Sequence, residues 1–179
     1  MEKSRQEKIS KFLSYILRHR PEKIGIKLDK EGWVDVKELI EKSKNEIVFD
    51  FNELKYVVQH CDKQRFSLSG DLCEIRACQG HSADVEIKFK EIAAPPILYH
   101  GTVNQFLESI QKKGLLPMNR KMVHLSKDEE TAKKVGERRG KPIILKINAM
   151  KMQDEGYKFY ISDNGVYLTE FVPKKHIIL

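Results

Sequence analysis

Ile92-Ala93-Ala94-Pro95-Pro96 divides this chain into two halves of different character. A proline cannot continue a helix, and each one pushes the residue before it toward extended backbone. Two in succession predict a boundary between residues 1–92 and residues 93–179. No internal repeat or low-complexity tract relates the two halves.

Toward the N-terminus, Ile9, Phe12, Leu13, Ile16 and Leu17 recur at helical spacing and predict an amphipathic helix. Arg18, His19 and Arg20 follow at its end, where Pro21 forbids continuation. A second helix is expected from Asp35, with Glu38 three residues on as capping-box partner and Val36, Leu39 and Ile40 inward. Asp50 and Glu53 stand in the same relation before Phe51, Leu54, Val57 and Val58, predicting a third. Then Arg65 to Leu68, the turn Ser69-Gly70-Asp71, and Leu72 to Ala77 predict a β-hairpin. Three helices followed by a hairpin is the order of a winged-helix domain.

Toward the C-terminus, short strands alternate with short helices. Ile97 to His100 and Pro142 to Ile147 are the clearest strands, and Phe106 to Lys113 is a helix ended by Gly114. A further helix is expected from a Ser126 cap with Glu129, ending near Gly136. Phe159 to Ile161, Gly165 to Leu168 and Ile177 to Leu179 predict strands. The overall expectation is an α+β chain whose second lobe is mixed α/β with a substantially antiparallel sheet.

Apolar residues make up 40% and charged residues 33%, which places the chain among ordinary globular proteins and excludes disorder. No apolar run approaches the roughly 20 residues that span a bilayer, and the polar start MEKSRQEK is no signal peptide. A cytoplasmic, membrane-free monomer is the default expectation. Cys61, Cys73 and Cys78 match no zinc spacing and leave one unpaired in any disulfide scheme, so three reduced, buried side chains are expected. The net charge of +7 is concentrated: residues 1–92 hold 18 Lys and Arg against 17 Asp and Glu, while residues 93–179 hold 15 against 9. A basic half suits phosphate-rich ligands, although a solvated lysine surface has the same count.

Single clusters carry little alone. Arg18-His19 is what a helix C-terminus favours in any case, and Lys63-Gln64-Arg65-Phe66 puts cations where a strand edge tolerates them. His100-Gly101-Thr102 ends a strand with a glycine, which lets a ligand approach the backbone. His124-Leu125-Ser126 ends another just before a helix N-terminus, where free N–H groups hold anions. Arg138-Arg139 beside Gly140 reads as a helix-end basic pair. There is no G-x-G-x-x-G, Walker A loop, H-E-x-x-H or G-x-S-x-G, so a dinucleotide bound here is expected to be consumed rather than to shuttle hydride.

Together these segments resemble a known family. Ser10 to Pro21, Gly32-Trp33-Val34-Asp35 and Lys63 to Phe66 resemble the N-terminal half of the NAD-dependent RNA 2′-phosphotransferases. Leu98-Tyr99-His100-Gly101-Thr102, Val123-His124-Leu125-Ser126, Gly136-Glu137-Arg138 and Asn164 to Thr169 resemble its C-terminal half. The resemblance implies a winged-helix lobe joined to an ADP-ribosyltransferase-like lobe, with the active site between them. It implies a catalytic set of Arg18, His19, Arg65 and Arg138, with Arg138 favoured over its neighbour Arg139. It further implies an NAD site formed by His100, Gly101, Thr102, Arg120, His124, Leu125, Ser126 and Val166, with no metal. Related ADP-ribosyltransferases carry a glutamate at the position of Val166 that holds the nicotinamide ribose 2″-hydroxyl. A hydrophobic residue there leaves that hydroxyl able to react.

The implied reaction has two steps. The RNA 2′-phosphate displaces nicotinamide from NAD, and the ribose 2″-hydroxyl then attacks the phosphate, yielding 2′-hydroxyl RNA and ADP-ribose 1″,2″-cyclic phosphate. His19, the member of the set that exchanges protons near neutrality, is expected to supply acid–base help. Two alternatives stand beside this. A winged-helix DNA regulator would want basic and amide side chains on its third helix, but residues 50–60 hold two acids and one lysine. An ADP-ribosyltransferase that stops after the first step would share that step.

Overall fold

The first helix, α1 (Lys3–Arg18), buries Ile9, Leu13, Ile16 and Leu17 completely. Each such burial contributes roughly 1.5–3 kcal/mol, well above the few tenths that intrinsic propensity supplies. Its end is followed by a 3₁₀ turn, Pro21–Ile24, closed by Gly25 in the left-handed region at φ 70°. Next come β1 (Val34–Asp35), α2 (Val36–Ser43), α3 (Phe51–Gln59) and the hairpin β2 (Phe66–Leu68) and β3 (Glu74–Ala77). Asp35 caps α2 by accepting the Glu38 N–H, and Asp50 with Glu53 forms the expected capping box at α3. Glu53 also accepts two hydrogen bonds from Arg5, each 2.9 Å, tying α1 to α3. The hairpin gains a third strand that the sequence does not signal: β1 pairs with β3, setting Val34 opposite Ile75.

The second half contains β4 (Lys90–Ile92), β5 (Ile97–Val103), α4 (Asn104–Lys113), β6 (Val123–Leu125), α5 (Glu129–Gly136), β7 (Pro142–Asn148), α6 (Ala149–Asp154), β8 (Phe159–Ile161), β9 (Tyr167–Thr169) and β10 (Ile177–Ile178). These strands form two sheets, ordered β10-β7-β5 and β4-β8-β9-β6. Among the described residues every strand pairing is antiparallel. The computed structural model describes residues 1–61 and 63–178, so Leu179, expected in the last strand, lies outside the described residues. The fold is thus mixed α/β with small antiparallel sheets.

The chain separates into two compact units at Lys88/Phe89, each with its own apolar core. The prolines predict this boundary at 92/93. It falls earlier because β4 is hydrogen-bonded to β8, with Ile92 opposite Phe159, and so belongs to the second unit. Among the described residues no helix is long and apolar enough to cross a membrane.

Three local expectations are corrected. Ser126 does not cap α5; Asp128 does, accepting the Thr131 N–H at 2.7 Å. Ser126 is held instead by a β-bridge to Tyr99, with N–H···O distances of 2.7 and 2.9 Å, which keeps it out of the helix. All three cysteines are free thiols, but only Cys61 and Cys78 are buried; Cys73 is exposed at the end of the hairpin turn. Finally, Gly101 does not clear a path for ligand. It lies inside β5 rather than at its end, and a Cβ there would sit 1.9 Å from the Ala132 carbonyl oxygen of α5. Gly136 is tight against the same strand, with a built Cβ 3.3 Å from the Thr102 oxygen. The two glycines let α5 lie directly on the backbone of β5.

Because the obstructing atom is helix backbone, Gly101→Ala will lower unfolding stability by about 3 kcal/mol, the upper end of the usual overpacking cost. Gly70→Ala, where a Cβ meets nothing within 4 Å, will leave the denaturation midpoint nearly unchanged. Urea unfolding of both variants checks the contrast, and a neutral Gly101→Ala would mean that α5 does not pack here.

Candidate active site

A helix leaves its last carbonyls without intrahelical donors. At the end of α1, the Tyr15 oxygen accepts the N–H groups of His19 and Arg20, both at 3.1 Å. The Arg18 oxygen accepts those of Ser82 and Ala83, both at 2.9 Å. The Arg18 side chain is buried, and its Nη2 donates to the Arg65 carbonyl oxygen at 3.5 Å, joining residues 47 positions apart. Arg65 directly precedes β2. Its Nη1 donates to Cys61 Sγ at 3.2 Å, and its carbonyl also accepts the Cys78 N–H at 2.9 Å. Gln64, immediately before it, occupies the left-handed region at φ 40° and donates its N–H to the Cys61 oxygen at 2.7 Å. His19 places Nδ1 2.9 Å from Ser82 Oγ. The Arg18 guanidinium thus reaches the backbone of Arg65 and the adjacent His19 ring reaches Ser82, so the end of α1 meets two distant segments. Guanidinium groups stay charged and match phosphate oxygens two at a time.

In the second unit, the bridge between Tyr99 and Ser126 joins β5 to the end of β6, and so one sheet to the other. His100 and His124 lie beside that junction. His100 Nδ1 is 3.0 Å from the His124 carbonyl oxygen, and His124 Nδ1 is 2.9 Å from that of Met122. A carbonyl only accepts, so in each contact Nδ1 carries the proton, and in neutral His100 Nε2 keeps the lone pair. Burial lowers the His100 pKa from its ordinary value, and the Arg139 and Arg120 charges lower it further against the opposing bond to His124. Partial desolvation followed by the Arg139 charge likewise lowers Arg120, which remains a cation. His100 is thus a neutral acceptor beside two arginines, an arrangement suited to a hydroxyl and an anionic group of one ligand.

The other expected residues divide. Thr102 and Leu125 are buried in packing, and Gly101 meets α5 as described. Val166 is half-buried between β8 and β9, its N–H donated to Ser162 Oγ at 3.0 Å. Arg138 is exposed on the 3₁₀ turn Glu137–Arg139. Of the adjacent pair, it is Arg139 whose charge acts on His100, and its Cζ lies 5.6 Å from the Phe106 ring centroid. Ser82 is thereby added to the candidate residues, and Arg139, weighed in the sequence beside Arg138, joins it. Gly80-His81-Ser82, polar residues after a glycine, is the one sequence signal for Ser82.

The description "RNA 2′-phosphotransferase, Tpt1 / KptA family" matches residues 4–171 of this chain. The chain belongs to this family. A protein of Flavobacterium johnsoniae named probable RNA 2′-phosphotransferase is 56% identical over 170 residues, covering 94% of this chain and 93% of its own. Proteins of the same name from Burkholderia pseudomallei and Fusobacterium nucleatum are 53% and 52% identical, covering 94% and 95% of this chain and 92% and 96% of their own. Membership of the RNA 2′-phosphotransferases makes the chain an enzyme and removes the DNA-regulator alternative.

The depressed His100 pKa makes a stability prediction for this RNA 2′-phosphotransferase. The unfolded chain titrates this histidine near 6.5, above the folded value, so the unfolded state binds more protons in the window between them. Stability is therefore full above that window and falls as pH drops through it. Arg139→Gln will raise the His100 pKa in an NMR titration and shrink its share of the acid loss. An unmoved His100 titration would show that Arg139 does not act on it.

Proposed function

We propose that this enzyme transfers an internal RNA 2′-phosphate to NAD, consumed as co-substrate, without a metal ion. The products are 2′-hydroxyl RNA, ADP-ribose 1″,2″-cyclic phosphate and nicotinamide, formed through an ADP-ribosylated 2′-phosphate. The first unit is proposed as a winged-helix lobe and the second as an ADP-ribosyltransferase-like lobe. The observation that carries the reading is the convergence of Arg18, His19 and Arg65 in the first unit, where the Arg18 guanidinium reaches the backbone of Arg65.

In the first step a phosphate oxygen attacks ribose C1″ as the bond to nicotinamide breaks, and nicotinamide departs with the electron pair. Neutral His100, fixed as an acceptor, is suited to a ribose hydroxyl, and Arg120 is suited to the pyrophosphate. His124 and Ser126 complete this group at the junction of the two sheets. Val166 brings no carboxylate to compete for the 2″-hydroxyl. In the second step that hydroxyl attacks phosphorus, its proton is removed, and the RNA 2′-oxygen leaves and is protonated. Arg18 and Arg65 offset the charge that develops on the phosphate oxygens, and His19 handles protons; Arg138 is the fourth residue of the proposed catalytic set.

The steps differ in what they ask of the arginines. As a nucleophile, the phosphate is dampened by positive charge even while being positioned; as an electrophile, it is activated. Losing one donor to a developing oxyanion costs about 10²–10³ in rate. Arg18→Ala, His19→Ala or Arg65→Ala will therefore slow the second step more than the first. ADP-ribosylated RNA will then accumulate as a slower band on a denaturing gel. His100→Ala will slow the first step without accumulation. A requirement for Mg²⁺, or turnover without NAD, would overturn the assignment. Absence of the cyclic phosphate with a stable ADP-ribosylated product would favour an enzyme that stops after the first step.

A further inference from the structure

We infer that Ser82 is a positioning residue for His19, fixing the imidazole through Nδ1 so that Nε2 handles the proton in phosphate transfer. This rests on the role of His19 proposed above. Ser82 makes two contacts at the end of α1, one through its backbone N–H and one through its hydroxyl. Its backbone N–H donates to the Arg18 oxygen at 2.9 Å, and its Oγ lies 2.9 Å from His19 Nδ1. One residue thus grips the backbone of one member of the cationic set and the ring of the next.

The segment carrying Ser82 is anchored on both sides. His81 and Val85 are buried, and a Cβ built on Gly32 would contact His81 Nε2 at 3.5 Å. The Glu86 N–H donates to the Lys30 oxygen at 2.6 Å. Ser82 itself is exposed, so its hydroxyl is dispensable for burial. The hydroxyl also suits this position chemically. It can accept from Nδ1–H or donate to Nδ1, whereas a carbonyl would allow only the first. His19 can therefore present either a basic Nε2 or a protonated one without losing its orienting bond. Taking the 2″-hydroxyl proton at Nε2 gives the imidazolium, whose Nδ1–H still donates to Oγ and whose Nε2 proton can then pass to the departing 2′-oxygen.

Ser82→Ala keeps the backbone contact and removes only the hydroxyl. It will slow the second step about tenfold, part of the 10²–10⁴ that a positioned proton-transfer group supplies, with KM for NAD unchanged and ADP-ribosylated RNA accumulating. Ser82→Thr, which retains the hydroxyl, will recover most of the rate. In a His19→Ala background, Ser82→Ala will have no further effect on the residual rate. An equal loss in both backgrounds, or no loss in either, overturns the inference. Imidazole nitrogen NMR of the full chain reads the contact independently of turnover: Ser82→Ala will change the His19 tautomer balance, and an unchanged balance also overturns it. If the unaltered protein fails to turn over 2′-phosphorylated RNA with NAD while the tautomer balance still shifts, the functional reading falls and the positioning contact stands.

Discussion

Unsatisfied carbonyls at the end of α1 are the constraint around which the first unit's chemistry is arranged. A buried helix end must find donors for its last oxygens. Here they come from outside the helix, as the N–H groups of Ser82 and Ala83 close on the Arg18 oxygen. That closure brings a chain segment more than sixty residues away (63, from His19 to Ser82) against the two residues that end the helix. The same place receives the start of β2, because the Arg65 oxygen accepts from both the Arg18 guanidinium and the Cys78 N–H. Backbone satisfaction and the clustering of cations are therefore one structural event.

The second unit answers a different constraint by the same economy. Its sheet β10-β7-β5 must be covered on one face, and α5 covers it at a distance only glycine permits. With Gly101 and Gly136 at the contact, the helix backbone rests on the strand. The helix then runs into the 3₁₀ turn bearing Arg138 and Arg139. A bulkier residue at either glycine would lift the helix and carry those arginines away from His100, whose proton affinity Arg139 already lowers.

The sequence was most legible where one signal had one structural meaning. The apolar spacing from Ile9 to Leu17, and the Asp50–Glu53 box, each have a single local outcome, and both elements form as expected. It was least legible where a local signal met a tertiary demand. Ser126 has the chemistry of a helix cap, but the bridge to Tyr99 claims its backbone first. Gly101 looks like room for a ligand, and the room belongs to α5. Val34–Asp35 is too short for any period to mark it as a strand; only its partner Ile75–Glu74 makes it one. Of the candidate site, the sequence motifs single out histidines and arginines one at a time. Ser82 was not legible, because its meaning lies in a contact between distant segments.

The two histidines that matter most are held in chemically different ways. His100 bonds through Nδ1 to a carbonyl, which can only accept, in surroundings where burial and two arginines oppose a second proton. The carbonyl sets its tautomer and the lowered pKa favours its neutral form, which suits a fixed hydrogen-bond acceptor. His19 bonds through Nδ1 to a hydroxyl, which gives or takes a hydrogen with equal ease. Both rings have the same intrinsic chemistry, so their partners at Nδ1 are what set the two apart. A carbonyl in place of Ser82 Oγ would still hold Nδ1–H while Nε2 gained or lost a proton, so what the hydroxyl adds is the power to donate to Nδ1 when the hydrogen sits on Nε2.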